Sequence, residues 1–162
     1  MTEKLLEGVF LSLLLWVPFG DVLKREIPDG IPAAMILLAA ADMWSGGMAL
    51  PERLAGLLCI SLPMTAITMV RPGAFGGGDI KLAAAGGAFL GAIRMIAAGG
   101  IAVLLCGIVL TPLVLTRRIT GKESIPFGPF LSDGMAEGLL WGKEIAAWYT
   151  GSGARSEHVK QI

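Results

Sequence analysis

Apolar residues along the chain are grouped into six runs, separated by short segments rich in glycine, proline and charged residues. A helix that crosses a membrane needs about 20 mainly apolar residues, within a range of about 17 to 25. The runs are close to this length, and we expect each of them to form a helix. They cover residues 5–20, 30–48, 54–70, 82–98, 99–116 and 130–149.

The last run is the weakest, because four charged residues interrupt it: Asp133, Glu137, Lys143 and Glu144. We expect it to span the membrane, with a helix along the interface as the alternative. The first run is interpreted as a retained span and not as a cleaved signal peptide, since no clear cleavage site follows it. The pattern predicts an all-α integral membrane protein with a polytopic bundle of about six transmembrane helices. Residues 1–150 would form this bundle, and residues 151–162 a polar C-terminal tail.

Composition supports a membrane protein. Hydrophobic residues make up 54% of the chain and charged residues 16%, with a mean hydropathy of +0.72, whereas soluble domains carry about 25% charged residues. The 13 basic and 13 acidic residues cancel, so no basic field would attract nucleic acid. The predicted partner is the lipid bilayer, and nucleic acid is excluded. The 23 glycines and 9 prolines exceed what a simple helical bundle needs.

The two cysteines, Cys59 and Cys106, lie inside apolar runs and have no histidine nearby. A structural zinc site needs about four nitrogen or sulfur ligands, so no metal site is expected, and no cofactor is predicted. Two buried thiols are favoured over a disulfide, because free cysteine behaves as a small hydrophobic residue.

The loops between the runs differ in charge, and this difference predicts the orientation of the chain. Cytoplasmic loops of membrane proteins carry an excess of lysine and arginine. One set of alternate loops holds Lys24, Arg25, Arg71, Lys81, Arg117, Arg118 and Lys122. The other set holds Lys4, Arg53, Arg94 and the segment after the last run. The richer set is expected to face the cytoplasm, which places the N-terminus outside.

Two carboxylates are expected at the same membrane surface. Asp21 closes the first run and Asp79 precedes the fourth, so two crossings lie between them and return the chain to the same face. Ionisable groups at membrane depth are costly and are candidates for function. Two carboxyl groups within reach can share one proton, as in an aspartic protease. The alternative is that each caps a helix, with Asp79 placed for an N-cap.

Three glycines, Gly76 to Gly78, precede Asp79, and Lys81 follows it. Glycine adopts positive φ and allows close approach of another backbone, so we expect a Gly-rich loop at the cytoplasmic face, along which an extended substrate segment could pair. Lys81 either pairs locally or is an interfacial lysine. A phosphate-binding loop is not expected, because no GxxxxGK[ST] pattern is present.

Asp21 is followed by Lys24, Arg25 and Pro28. On a continuing helix the two basic residues would share its face and keep its carboxylate ionised, although they also fit the flanking charge of a cytoplasmic loop. Pro28 forces the residue before it out of the helical conformation. Asp29 is interpreted as a turn residue or as the N-cap of the second helix.

Three further features are expected to be structural. Residues 124–131, Ser-Ile-Pro-Phe-Gly-Pro-Phe-Leu, predict a rigid non-helical entry into the last helix. Small residues, with Gly86 and Gly87 among them, would let the fourth helix approach the first closely. Asp42, late in the second run, is expected at the opposite face from Asp21 and Asp79, in an interfacial or solvated position.

Three motifs of the chain resemble motifs of the type IV prepilin peptidases, and they follow one another along the chain in the same order as in that family. Residues 76–82, Gly-Gly-Gly-Asp-Ile-Lys-Leu, look like their GxGDxKL signature. Asp21 followed by basic residues and Ile27-Pro28 resembles their first motif, and residues 125–130 resemble the turn before the last helix of bacterial members. The motifs cover about 110 residues, counted along the chain from the first to the last. A lone GxGD is weak, because presenilin-like proteases share it, but the full set is specific.

The resemblance implies an intramembrane aspartic endopeptidase that removes the short basic leader from prepilins or pseudopilins at the cytoplasmic membrane face. Asp21 and Asp79 would be its catalytic pair, and it would act in the plasma or inner membrane on behalf of a type IV pilus or a secretion system. Gly76 and Gly78 would shape the loop that carries Asp79. Lys81, Lys24, Arg25 and Pro28 would support the site.

The chain departs from the family pattern in two respects. Asp29 follows Ile-Pro where many members have asparagine. The region with paired CxxC motifs that larger, bifunctional members carry before the first helix is missing from this sequence, so N-methylation with S-adenosylmethionine is doubtful. The alternatives from other classes are a small proton- or cation-coupled transporter subunit that uses the same two aspartates, and a membrane scaffold without chemistry.

Overall fold

The computed structural model describes residues 2–24, 28–116 and 127–149, and these form six α-helices without any strand. The all-helical prediction is confirmed for this part of the chain, whereas the predicted tail lies outside it. The helices are α1 (Thr2–Lys24), α2 (Gly30–Trp44), α3 (Leu50–Val70), α4 (Gly77–Leu90), α5 (Ala92–Leu115) and α6 (Gly128–Tyr149).

The boundary between the fourth and fifth helices differs from the prediction. The apolar runs were divided between residues 98 and 99, but the helices separate at Gly91, and α4 begins already at Gly77. Gly91 has φ +79° and ψ 169°, a conformation that essentially only glycine adopts. Hydropathy cannot reveal this break, because apolar residues continue on both sides of it.

Among the described residues, two helical segments are long and apolar enough to cross a membrane, Leu50–Val70 and Ala92–Pro112, and α2 is a shorter apolar helix. The outward surface is also apolar. Trp44 is 93% exposed and Trp16 is 69% exposed, and many leucines and isoleucines face outward as well. A soluble monomer rarely exposes such extended apolar surface, whereas a bilayer would cover it. The crossing of the membrane by all six helices stays a prediction.

Two ion pairs mark the two ends of the bundle. Lys81, in the first turn of α4, pairs with Asp29, which directly precedes α2. Arg53, in the first turn of α3, pairs with Asp42 near the end of α2 and donates a hydrogen bond to the Ala88 carbonyl near the end of α4. Helices α2 and α4 are therefore parallel, and α3 runs in the opposite direction.

Helix α4 lies at the centre of the bundle, and its small residues allow neighbouring helices to approach it closely. Gly87 lies against Gly56 of α3 so closely that a Cβ on either glycine would overlap the carbonyl oxygen of the other, and a Cβ on Gly86 would overlap the Met135 side chain of α6. The prediction that these two glycines bring α4 close to α1 is wrong, because they face α3 and α6. Helices α1 and α4 instead meet through large side chains, with the Phe10 and Phe89 rings stacked at 4.3 Å.

Both cysteines are free thiols, which confirms the preference for thiols over a disulfide. They are partly exposed rather than buried. Cys59 donates a hydrogen bond to the Gly56 carbonyl one turn earlier. Its role is therefore local packing on α3.

Candidate active site

Asp79 is buried in the first turn of α4, with 6% of its surface exposed. The helix is capped by Gly76 in an extended conformation, and the Ile80 N–H donates to the Gly76 carbonyl at 3.3 Å to close the first turn. Asp79 is thus the third helical residue, and the alternative that it is the N-cap is wrong. An anionic group in this turn is stabilised by the free N–H groups of the helix start.

The three glycines before Asp79 do not all lie in the loop that was expected. Gly77 and Gly78 already belong to α4, and the described residue of this segment with positive φ is Gly73, at +87°. Glycine can adopt either a helical or a loop conformation, and at Gly77 and Gly78 the hydrogen bonds of α4 favour the helical one. No extended edge remains at residues 77–78 for pairing with a substrate strand.

Gly76 leaves room for the Asp79 carboxylate, which folds back over it. A Cβ placed on Gly76 would lie 3.3 Å from Asp79 Oδ2 and 3.8 Å from Cγ. A Cβ placed on Gly77 meets nothing within 4 Å. A side chain at the first of these glycines would therefore crowd the Asp79 carboxylate, and one at the second would not.

Replacement of Gly76 with alanine is expected to lower the leader peptidase activity that the motif resemblance implies about three- to tenfold without unfolding the protein, because the carboxylate must shift by a few tenths of an ångström. The matched control is Gly77→Ala, which should keep nearly full activity. Initial rates of leader cleavage, with monodispersity in detergent as the folding check, measure the effect. Equal rates for the two variants would contradict it.

Asp21 lies in the last turn of α1, and the structure describes its backbone but not its side chain. Helix α1 is antiparallel to α4, since Glu7 near its start lines the same cavity as Phe89 and Leu90 at the end of α4. From the Phe10–Phe89 contact, Asp21 is eleven residues along α1 and Asp79 ten residues back along α4. At a rise of about 1.5 Å per residue along straight helices, Asp79 would lie about 15 Å and Asp21 about 16.5 Å from that contact, toward the same end of the bundle.

The segment that follows Asp21 is connected to α4 by an ion pair. Lys81 Nζ donates to Asp29 Oδ1 at 2.7 Å, and both side chains are largely exposed. Asp29 is the N-cap of α2, as one of the two alternatives had it, but its side chain makes no capping bond and binds Lys81 instead. Of the two interpretations of Lys81, local pairing or an interfacial lysine, the structure therefore shows local pairing.

The remaining predicted support residues are described only in part. Pro28 is exposed, and its carbonyl accepts a hydrogen bond from the Ile31 N–H at 3.0 Å, which starts α2. Lys24 is the last residue of α1, without a described side chain, and Arg25 lies outside the described residues. Their predicted contacts with Asp21 stay predictions.

The third motif reaches the same end of the bundle. The rings of Phe75, just before the cap of α4, and Phe127, just before α6, meet edge to face at 5.6 Å. Gly128 starts α6, and the Leu131 N–H donates to the Phe127 carbonyl at 3.0 Å. Residues 125 and 126 lie outside the described part. Sequence reasoning missed Phe75, although an aromatic residue in each break was a usable signal.

The opposite end of the bundle holds a buried arginine that the sequence did not reveal. Arg53 is 5% exposed, donates to the Met48 and Ala88 carbonyls at 3.0 and 3.1 Å, and pairs with Asp42. Asp42 lies at the opposite end of the bundle from Asp79, as expected, and it is partly exposed, with its carboxylate paired with the buried Arg53. No described cluster of three or more His, Cys, Asp or Glu residues could hold a metal ion.

Comparisons with known proteins give a consistent result. The family model described as the type IV leader peptidase family matches residues 8–111. A prepilin leader peptidase/N-methyltransferase of Bacillus subtilis is 32% identical over 148 residues, which cover 87% of this chain and 57% of that protein. One of the same name from Aeromonas hydrophila is 31% identical over 153 residues, covering 88% of this chain and 53% of its own. No solved structure matches significantly.

The chain thus spans a little over half the length of these curated relatives. The residues that match the family model include α1 from residue 8 onward and α2 to α4 completely, with Asp21, the glycines and Asp79. The resemblance of the chain to this family is therefore confirmed by an independent comparison. The chain belongs to the type IV leader peptidase family.

Proposed function

We propose that this protein is a membrane aspartic endopeptidase that removes the leader peptide from type IV prepilin-like or pseudopilin proteins. The observation that carries the proposal is the burial of Asp79 in the first turn of α4. The number of residues from the Phe10–Phe89 contact to each aspartate supports a position of Asp21 toward the same end of the bundle. Family membership supports the peptidase function.

Asp21 and Asp79 share one proton in the proposed reaction. The ionised carboxylate takes a proton from a water molecule, whose oxygen attacks the scissile carbonyl carbon, and the protonated carboxyl group gives its proton to the carbonyl oxygen. The resulting tetrahedral intermediate breaks the C–N bond as the amine leaves with a proton. No metal takes part in these steps, so chelators do not inhibit them.

The protein is multi-pass in the plasma or inner membrane, with Asp21 and Asp79 at the cytoplasmic side. The loop charges support this orientation, because Arg71 and Lys81 lie at the Asp79 end, whereas Arg53 and Arg94 lie at the other. The described apolar surface supports the membrane location.

A proton- or cation-coupled transporter subunit with the same two aspartates is not favoured, because the relatives carry the name of leader peptidases. A scaffold without chemistry is not favoured for the same reason. Both alternatives predict no cleavage by the purified protein.

The proposal is tested with purified full-length protein in detergent and a prepilin substrate that carries its leader and its hydrophobic helix. We expect cleavage at the leader junction, with an unchanged rate in EDTA and in serine- or thiol-directed reagents. Heat-inactivated enzyme is the control for contaminating proteases. Loss of activity in EDTA that zinc restores would contradict the aspartic mechanism.

A further inference from the structure

A cavity lies at the end of the bundle opposite Asp79. It has a volume of 460 Å³, within the range of about 300–1,000 Å³ that is usual for small-ligand sites. The starts of α1, α3 and α5 and the ends of α2 and α4 surround it. None of the residues assigned to the peptidase site contributes to it.

The charged groups in this cavity are of both signs and are not all used by the fold. Asp42 is neutralised by Arg53. The other three, Glu7, Glu52 and Arg94, also line the cavity, and the described part of the chain contains no ion pair among them. One guanidinium and two carboxylates therefore remain in one cavity, and a zwitterionic ligand would satisfy both kinds of charge.

Arg94 is held in place by its packing rather than by a charge partner. A Cβ on Gly142 of α6 would lie 3.0 Å from Arg94 Cγ, and a Cβ on Gly138 would lie 2.8 Å from the Arg94 carbonyl oxygen. The absence of side chains at these two positions lets α6 pack on the arginine stem. A stem that is already ordered lowers the entropic cost of binding, and a guanidinium binds phosphate through two parallel hydrogen bonds.

One edge of the cavity suits the apolar part of a lipid. Ile93 lines this edge and is 58% exposed, whereas Phe89 and Leu90 are buried in the wall, so the cavity adjoins the outward apolar surface at Ile93. In the proposed orientation this end lies at the headgroups of the outer leaflet. A headgroup with a phosphate and a primary ammonium fits the charges, because the ammonium donates hydrogen bonds to carboxylates whereas a quaternary amine has none to donate.

We propose that the cavity binds a phosphoethanolamine headgroup of a phospholipid, with its phosphate on Arg94 and its ammonium on Glu7 and Glu52. The proposal shares the membrane orientation with the proposed function but does not depend on the aspartate pair. An active peptidase without lipid selectivity, or a selective lipid binder without peptidase activity, would separate the two.

The test measures the lipid that stays bound to the full-length protein in detergent after incubation with equimolar phosphatidylethanolamine and phosphatidylglycerol, by native mass spectrometry. We expect the wild-type protein to retain at least about tenfold more phosphatidylethanolamine than phosphatidylglycerol, because only the former has an ammonium group that forms charge-assisted hydrogen bonds with Glu7 and Glu52. Arg94→Gln, which keeps Cβ and Cγ against Gly142, should lose about tenfold in retention. Glu7→Gln should lose the preference. The matched control Arg71→Gln, an exposed arginine at the other end, should behave as wild type.

Equal retention of the two lipids by wild type would overturn the proposal, and so would unchanged retention by Arg94→Gln. If Arg94→Gln does not fold, Glu7→Gln decides, because an unchanged preference in that variant contradicts the ammonium contact. Soluble phosphoethanolamine and inorganic phosphate distinguish the sources of the ligand. If soluble phosphoethanolamine displaces the bound lipid and inorganic phosphate does not, the result supports recognition of the zwitterionic headgroup. If inorganic phosphate displaces the lipid equally well, the cavity is a simple anion site and the proposal is contradicted.

Discussion

Replacement of Asp79 with asparagine is expected to reduce leader cleavage by at least about a thousandfold, as the loss of a group from a catalytic unit does in other hydrolases. Asparagine has nearly the same shape, so it can fill the buried position in the first turn of α4, but it can neither accept nor donate the proton that the reaction needs. The measurement is the processed fraction of a co-expressed prepilin, together with the membrane level of the variant.

The matched control is Asp133→Asn on α6, because Asp133 is an exposed aspartate outside the proposed site. It should process the prepilin at the wild-type rate. If Asp79→Asn is present at the normal level and still cleaves at a normal rate, Asp79 is not catalytic. If both variants lose activity, the loss is not specific to Asp79.

Replacement of Arg53 with alanine is expected to destabilise the protein by about 3–5 kcal/mol, the usual cost of removing one partner from a buried ion pair. The side chain connects three elements, because it binds the Met48 carbonyl, the Ala88 carbonyl and the Asp42 carboxylate. Its loss leaves a partly buried carboxylate and two acceptors without their donor. The measurement is the thermal unfolding midpoint of the purified protein in detergent.

Two further variants separate the ion pair from general truncation. The control Arg71→Ala removes an exposed arginine and should shift the midpoint little. The double variant Arg53→Met with Asp42→Leu should recover much of the stability, because apolar replacements of a buried pair leave no unpaired charge. A midpoint for Arg53→Ala equal to that of Arg71→Ala would show that the pair contributes nothing.

The positions of the helices could be predicted from the sequence, because apolar runs of nearly spanning length alternate with glycine, proline and charge. The separation of α4 from α5 at Gly91 could not, since a single residue with φ +79° ends the helix within a continuous apolar stretch. The sequence also could not predict which helices pack against each other. Gly87 signals a close neighbour but carries no information that the neighbour is Gly56 of α3.

Asp21, Asp79 and Lys81 could be singled out by residue type, motif and the parity of the helices. Two features of the site depend on three-dimensional contacts that spacing does not encode, namely the Lys81–Asp29 pair across 52 residues and the edge-to-face contact of Phe75 with Phe127. Arg53 was missed for a similar reason. A lone arginine near a helix start resembles a loop charge until its carbonyl partners are known.

The most direct test of the proposed aspartate pair compares Asp21→Asn, Asp79→Asn and the double variant in one cleavage assay on purified protein. Groups that act as one catalytic unit give losses that do not multiply. We therefore predict that each single variant is as inactive as the double variant, at unchanged protein level and monodispersity. A single variant with the wild-type rate, or single losses that multiply in the double variant, would contradict a shared role of Asp21 and Asp79.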